Sequence, residues 1–194
     1  ATKEWKITVN EVNLAPRIYP VIDPQEINEQ EEFTITIPVE DDDIPANTFT
    51  FSMTGAPEGA VLNSETGVFT WTPTEEQGPG VYTFTVKVCD NGAPSLCAQQ
   101  NLTITVHEVN ASPEFKYPIE DQTIDELVSF SWNFKATDPD RPTQPISYSA
   151  ENLPEGATFN ASTAAFTWTP SEAQGPGEYT ITIKACDNFA PPAC

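Results

Sequence analysis

The sequence is 194 residues long, which is enough for one large domain or for two domains of about 100 residues each. Only 8 residues are Lys or Arg, whereas 29 are Asp or Glu, and the formal net charge is −21. Such a chain repels nucleic acid and anionic membranes, and it contains no apolar run of about 18 residues that could insert into a bilayer. These classes of partner are therefore excluded, and cations are favoured.

An internal repeat has a period of 97 residues. Trp71 in "GVFTWTPTEEQGPGVYT" corresponds to Trp168 in "AAFTWTPSEAQGPGEYT", and 168 − 71 = 97. Cys89 and Cys186 have the same offset, so the register holds without a gap. Because twice 97 is 194, the chain covers two full periods.

The period predicts three segments. Residues 1–9 are interpreted as the last strand of a preceding repeat, residues 10–106 as repeat 1, and residues 107–194 as repeat 2, whose final strand is missing within this chain. The sequence "ATKEWKITV" at residues 1–9 corresponds to "AQQNLTITV", the last strand of repeat 1. Two interpretations follow: this strand completes the repeat 2 of another copy, or the chain is a window of a continuous array.

Within each period, short segments alternate apolar and polar residues. "EFTITIPV", "TFTFSM", "GVFTWTP", "VYTFTVKV" and "NLTITV" have the two-residue period of half-buried β-strands. Between them lie "GAPEGA", "NSETG" and "EEQGPG", which are rich in turn-forming residues. No helical period is sustained, and 19 prolines disfavour helices. About seven strands per period predict an all-β fold of tandem Greek-key sandwiches.

The aromatic residues suggest core positions. Trp71 and Trp168 lie on the same strand face as neighbouring phenylalanines, so we predict that both indoles are buried. Trp132 alternates with phenylalanines in the same way and is also predicted to lie in the core. Carbohydrate binding would instead need exposed coplanar aromatic rings. The few candidates are Tyr19, Tyr117 and Trp132.

The four cysteines form two copies of one spacing. An even count in a chain rich in Thr and Pro predicts disulfide bonds and an oxidising compartment. Zinc is the competing interpretation, but the spacing of zinc ligands is missing and the single histidine is His107. Bridges from Cys89 to Cys97 and from Cys186 to Cys194 would each close the loop after the strand that ends in the first cysteine.

A set of short motifs occurs together in these repeats. They are "DQTIDE", "ATDPD", "LPEGATF", "FTWTP" and "YTITIKACDN", with "VNEVNLAP" and "VHEVNASP" joining the units. Over essentially its whole length the chain resembles the Ig-like, dystroglycan-type cadherin-like tandem repeats of large bacterial surface proteins. The resemblance implies tandem seven-stranded sandwiches in an extracellular protein, often with calcium at the junctions and without catalytic activity.

Acidic residues occupy matching positions in both repeats. Asp138 and Asp140 are two residues apart, so their carboxylates point the same way in an extended backbone, and the same holds for Asp41 and Asp43, while Asp42 faces away. Calcium takes six to eight such oxygen ligands. The resemblance implies a site at the central junction built from Glu29, Glu75, Glu108, Asn110, Asp138, Asp140 and Asp187. It implies a half-site at the N-terminal end from Glu11, Asn13, Asp41, Asp43 and Asp90, and another at the far end from Glu126 and Glu172.

The linker departs from the cadherin pattern. After the linker Asn, where cadherins carry further acidic and amide residues, this sequence has Leu14 and Ala15 in repeat 1, and Ala111 and Ser112 in repeat 2. Fewer ligands predict one ion, or weaker binding, at each junction.

Three sequons for N-glycosylation are present. Asn101 and Asn160 are the candidates for modification, and Asn110 is the least suitable of the three because it is also a proposed calcium ligand.

The predicted function is a structural module of an extracellular tandem-repeat adhesin or filament at the cell surface, rigidified by calcium and arranged head to tail with other copies. The alternative is a carbohydrate-binding accessory module of a secreted polysaccharide-degrading protein, with glycans as partners. An enzyme is not expected, because the sequence has one histidine, no recurring Ser/His/Asp arrangement and no glycine-rich phosphate loop.

Overall fold

The computed structural model describes residues 1–194 and divides them into two compact units, residues 1–108 and residues 109–194. Both units are built almost entirely of β-strands, as the two-residue periodicity predicts, and each is an Ig/cadherin-like domain. Helix is limited to one 3-10 turn in each unit, at Glu75–Gln77 and Glu172–Gln174. No helix is long and apolar enough to cross a membrane.

Unit 1 contains nine strands in three sheets. The strands are β1 (Arg17–Ile18), β2 (Gln25–Asn28), β3 (Phe33–Thr36), β4 (Val39–Glu40), β5 (Phe49–Thr54), β6 (Val61–Leu62), β7 (Val68–Trp71), β8 (Gly80–Asp90) and β9 (Cys97–His107).

The largest sheet of unit 1 has the order β2-β9-β8-β5, in which β2 runs parallel to β9 and the other pairs are antiparallel. A second sheet has the order β3-β7-β6, and β1 pairs with β4. The long hairpin of β8 and β9 pairs Cys89 with Cys97 at one end and Gly80 with Val106 at the other. Threonine pairs such as Thr83 and Thr103, whose hydroxyls are 3.0 Å apart, cover its exposed face.

The core of unit 1 lies between the two larger sheets. Phe69 of β7 stacks on Phe84 of β8 with ring centroids 5.2 Å apart, and both side chains are buried. Trp71 is 1% exposed and contacts Tyr82 edge-on at 5.0 Å. Its indole N–H donates to the carbonyl oxygen of Glu58 at 3.2 Å, so the one polar atom of the ring is satisfied.

Unit 2 repeats this plan with shorter strands. The strands are β10 (Glu114–Phe115), β11 (Phe130–Asn133), β12 (Ala136–Thr137), β13 (Ser147–Glu151), β14 (Thr158–Asn160), β15 (Ala165–Trp168) and β16 (Thr182–Cys186). They form the sheets β11-β15-β14, β13-β16 and β10-β12.

The predicted core positions hold for two of the three tryptophans discussed above. Trp168 is 8% exposed and donates to the carbonyl oxygen of Glu155 at 3.2 Å, in the same way as Trp71 in unit 1. The prediction for Trp132 is wrong, because this side chain is 37% exposed. Its counterpart in unit 1, Ile35, is itself only half-buried, so the position is incompletely covered and the larger indole leaves more surface in solvent.

Both predicted disulfides are present. Cys89 is bonded to Cys97 and Cys186 to Cys194, and no cysteine is free. Each bridge closes the loop after the strand that carries its first cysteine. The bridges leave no thiolate to bind zinc, so the disulfide interpretation is confirmed.

Candidate metal centre

Three glutamates of unit 1 gather at one end of the domain. Glu29 follows β2, Glu75 opens the 3-10 turn and Glu108 follows β9. One carboxylate oxygen of each lies within 4.8 Å of the others. Glu29 is 2% exposed, and its backbone N–H donates to the carbonyl oxygen of His107 at 3.0 Å, which ties the end of β2 to the end of β9.

A glycine gives Glu29 its place. A Cβ atom at Gly78, in the loop after the 3-10 turn, would overlap the Glu29 carboxylate. In unit 2, a Cβ atom at Gly175 would overlap the carboxylate of Glu126 in the same way. The loop sequence "EEQGPG" in repeat 1 and its counterpart in repeat 2 therefore hold a carboxylate against bare backbone.

Three aspartates of unit 2 form the second cluster. Asp138 follows β12, Asp140 lies two residues later and Asp187 follows β16, and one oxygen of each lies within 4.8 Å of the others. The backbone N–H of Asp140 donates to Asp138 Oδ1 at 2.9 Å, so a local turn and not simple strand alternation brings the pair together. Asp140 is 1% exposed and accepts from the backbone N–H of Ala111.

The disulfide loop of unit 2 holds Asp187 in place. Desolvation by burial raises the pKa of this carboxyl group, but backbone N–H groups of Ala193 and Phe189 and the side chain of Asn110 donate to it, and together they lower its pKa below the ordinary value of 3.8. Asp90 has the same arrangement in repeat 1. Desolvation raises its pKa, but donors at Leu96, Gly92 and Asn13 lower it overall. Both carboxylates are therefore held ionised at neutral pH.

Two oxygen atoms of the aspartate cluster have no hydrogen-bond partner. They are Asp138 Oδ2 and Asn110 Oδ1, and both are buried. A buried acceptor without a donor costs about 1 to 3 kcal/mol, so the arrangement favours a cation beside these atoms. Carboxylate and amide oxygens are the ligands that calcium prefers. The oxygen set of unit 2 therefore fits this ion.

The equivalent residues at the N-terminal end of unit 1 are less well gathered. Asn13 donates to Asp90 at 3.1 Å, but Asp41, Asp43 and Asp90 do not form a cluster as tight as the one in unit 2. The side chain of Asn47 donates to Asn13 Oδ1 at 3.1 Å and to Asp43 Oδ2 at 2.8 Å, which satisfies both oxygens internally. Asp41 Oδ2 is buried without a hydrogen-bond partner.

Charge repulsion is evident in the same group. Burial raises the pKa of Glu11, and the negative charge of Asp43, a hydrogen bond to Asp43 and the charge of Asp41 raise it further. Asp42 turns away from this group, as alternation predicts, and accepts from Arg17 at 2.9 Å. The remaining predicted ligands, Glu126 and Glu172, do not belong to a cluster of three acidic groups.

Asn47 is the residue that sequence reasoning missed. A signal for it is present, because the position 97 residues later carries Gln144 and not Asn. Gln144 donates to the carbonyl oxygen of Pro142 at 3.2 Å and leaves Asn110 Oδ1 without a donor. The backbone N–H groups of Leu14 and Ala111, which donate to Asp43 and Asp140, were also outside any side-chain pattern.

The family described as "Putative Ig domain" matches residues 15–107 and residues 112–190. The chain belongs to this family. Each of its two units is one copy of the domain, and the resemblance to Ig-like and cadherin-like repeats is confirmed. No curated protein matches the sequence.

Solved cadherin structures are similar to this family member in fold. Mouse cadherin-23 EC22–24 has a TM-score of 0.55 and 19% identity, covering 95% of this chain and 63% of that one. Drosophila N-cadherin EC1–4 has a TM-score of 0.59 and 19% identity, covering 93% and 47%. Human protocadherin-24 EC1–2 has a TM-score of 0.51 and 18% identity, covering 91% and 88%. The chain therefore spans less than two thirds of the first two structures, and identities below 20% establish the fold alone.

Proposed function

We propose that this chain is a calcium-binding structural module of an extracellular tandem-repeat adhesin or filament, with no catalytic activity of its own. The observation that carries the proposal is the aspartate cluster of unit 2, where three carboxylates meet two buried oxygens that no protein donor satisfies. An oxidising environment agrees with an extracellular location, since all four cysteines are in disulfides.

The residues that would hold calcium in unit 2 are Asp138, Asp140, Asp187 and Asn110. In unit 1, Glu29, Glu75 and Glu108 offer a second set of carboxylates. When bound, calcium supplies positive charge and coordinates oxygens from separate loops. The protein contributes the disulfide loop that fixes Asp187 and the turn that sets Asp138 beside Asp140.

The chain connects these two sets directly, because Glu108 and Asn110 are separated by one residue. We propose that ions bound by both sets rigidify the link between successive repeats, as the cadherin-like pattern predicts. Without cations the carboxylates repel one another, and with cations that repulsion is neutralised. A stiff array of otherwise separate domains is the mechanical result.

Calcium titration of the intact chain tests the proposal. Asp138→Asn replaces only the unpartnered Oδ2 by an amide and keeps Oδ1, which accepts from the Asp140 N–H. We expect the affinity of the tightest site in isothermal titration to fall on the order of tenfold or more, because ligand charge sets calcium affinity. For the unchanged chain, calcium at 100 times Kd should stabilise the fold by about 2.7 kcal/mol and raise its melting temperature.

Asp41→Asn is the matched control. It makes the same change at the equivalent position of repeat 1, where Asn47 already satisfies neighbouring oxygens. We expect it to leave the tightest site within about twofold of the unchanged chain, since that difference is below 0.5 kcal/mol. A chain whose melting temperature does not respond to calcium, or equal losses in both variants, would contradict the proposal.

A carbohydrate-binding module is the second candidate, and one observation favours it. Tyr117 and Trp132, which are 58% and 37% exposed, line the same shallow cleft in unit 2. Its enclosed volume is about 30 Å³, so a sugar would lie against the rings and not inside a pocket. Retention of the chain on insoluble polysaccharide, and its loss in Trp132→Ala, would support this function over the first.

A further inference from the structure

One edge of β16 in unit 2 carries no partner strand. In unit 1 the equivalent strand, β8, lies between β5 and β9. In unit 2, β16 pairs only with β13. Residues 122–125, the counterpart of β2, form no strand either. Unit 2 therefore lacks the strand that joins these two segments in unit 1.

In unit 1 this strand is β9, and its contribution is large. Leu102, Ile104 and Val106 are each at most 1% exposed. They cover Phe84 and Val86 of β8, which are 2% and 1% exposed.

The same positions in unit 2 are less well covered. Ile181 and Ile183, the counterparts of Phe84 and Val86, are only half-buried. The apolar residues at this edge thus lack part of the cover that their counterparts have in unit 1.

Residues 1–9 have the sequence features of the missing strand. They match residues 98–106 at the offset of 97, and they form no strand in the structure. Trp5, Ile7 and Val9 correspond to Leu102, Ile104 and Val106, and they are 79%, 65% and 89% exposed. Three large apolar side chains with a two-residue spacing are therefore left in solvent, on a segment suited to pair as an edge strand.

We propose that residues 1–9 of one copy add to β16 of a second copy as the missing strand. The register follows β9 in unit 1, with an antiparallel partner at β16 and a parallel partner at residues 122–125. It places Ile7 opposite Tyr179 and Val9 opposite Gly177, which repeats the pairs Ile104 with Tyr82 and Val106 with Gly80. The inference deepens the proposed head-to-tail partnership and does not depend on calcium.

Side-chain size supports this register. In unit 1 the large Phe84 lies opposite Leu102. In the proposed pair the sizes are exchanged, since the smaller Ile181 lies opposite the larger Trp5. A position that has lost volume on one strand thus receives it from the other, which is the compensation that a shared core requires.

The test measures assembly of the full chain by light scattering and the emission of its tryptophans across a concentration series. We expect the molar mass to rise to at least twice the 21.2 kDa of one copy, with a blue shift of the emission as Trp5 becomes buried. Trp5→Asp should abolish both changes. Val12→Asp is the matched control, because Val12 is 77% exposed and lies outside the donor segment. Neither substitution can unfold a core, since both side chains are exposed.

Three outcomes would overturn the inference. The chain could stay monomeric at high concentration with Trp5 exposed, Trp5 could become buried without a rise in mass, or Trp5→Asp could assemble as well as the unchanged chain. Running each arm in calcium and in EDTA separates this inference from the calcium proposal. Assembly that persists in EDTA supports strand addition whatever the result of the calcium titration, whereas assembly that requires calcium contradicts the calcium-independent pairing inferred here.

Discussion

Positions 47 and 144 occupy the same place in the two repeats and differ by one methylene group, Asn in repeat 1 and Gln in repeat 2. Asn47 donates to oxygens of Asn13 and Asp43, whereas Gln144 donates to the carbonyl oxygen of Pro142. The amide of Asn47 thus provides internally the positive hydrogen that a cation would otherwise replace. This single residue accounts for part of the difference between the two acidic groups.

Gln144→Asn should therefore weaken calcium binding in repeat 2. The shorter amide is expected to donate to Asn110 Oδ1 and Asp140 as Asn47 does in repeat 1, and calcium must then displace that contact. One hydrogen bond contributes about 1 kcal/mol, so the affinity should fall about fivefold in isothermal titration. Asn47→Gln is the control and should leave the repeat 2 site unchanged. An unaltered affinity in Gln144→Asn would show that the amide does not compete with the ion.

At the scale of elements, the tryptophan strands anchor both units. The indole N–H of Trp71 and that of Trp168 each donate to a carbonyl oxygen at 3.2 Å, and each ring contacts a tyrosine edge-on at 5.0 or 4.9 Å. The 3-10 turn that follows is fixed to the same region, because Gln77 donates to the carbonyl oxygen of Glu58 at 3.0 Å. Burial of the indole and placement of the Glu75 loop are therefore linked.

Trp71→Ala should destabilise unit 1 by about 3 to 5 kcal/mol, because it removes a large buried ring and leaves a cavity. Urea denaturation at a concentration where the chain is monomeric measures the change. Trp5→Ala is the same substitution at a side chain that is 79% exposed, and it should alter stability by no more than about 0.5 kcal/mol. Equal effects of the two substitutions would mean that Trp71 does not anchor the core.

Much of the element level could be predicted from the sequence. Alternation identified the β-strands, the offset of 97 placed equivalent residues, and the cysteine spacing predicted both bridges, because all three signals are local or repeated. The parallel pairing of β2 with β9 has no local signal, since it joins segments that are far apart in the chain. Trp132 shows another limit, because alternation predicts which face a residue occupies but not how fully that face is covered.

The candidate site was predictable as a set of residue types and less so as geometry. Asp138 and Asp140 were paired by spacing, yet a backbone N–H of the local turn holds them together. The glycines that receive Glu29 and Glu126 are visible in the sequence as "GPG", but their purpose depends on contacts between distant loops. Hydrogen bonds such as that from Asn47 depend on side-chain length and become clear only in three dimensions.

At the scale of the whole molecule, a net charge of −21 dominates. Six of the carboxylates are concentrated in the two clusters of three, so neutralising them should have an effect beyond simple screening. Small-angle scattering of the intact chain tests the proposed stiffening. We expect EDTA to broaden the distribution of interatomic distances and excess calcium to narrow it, with magnesium at equal ionic strength as the control. Identical curves in calcium and EDTA would contradict a rigidifying role.

The disulfide at the end of the β8–β9 hairpin also bears on how such a module responds to pulling. Cys89 and Cys97 are eight residues apart in sequence, and their Cα atoms are 4.1 Å apart. If force unravels the domain, the bridged segment cannot extend, and roughly 25 Å of chain stays locked in each repeat. An array of these domains would therefore lengthen less when it yields under load, and a reducing environment would release that hidden length.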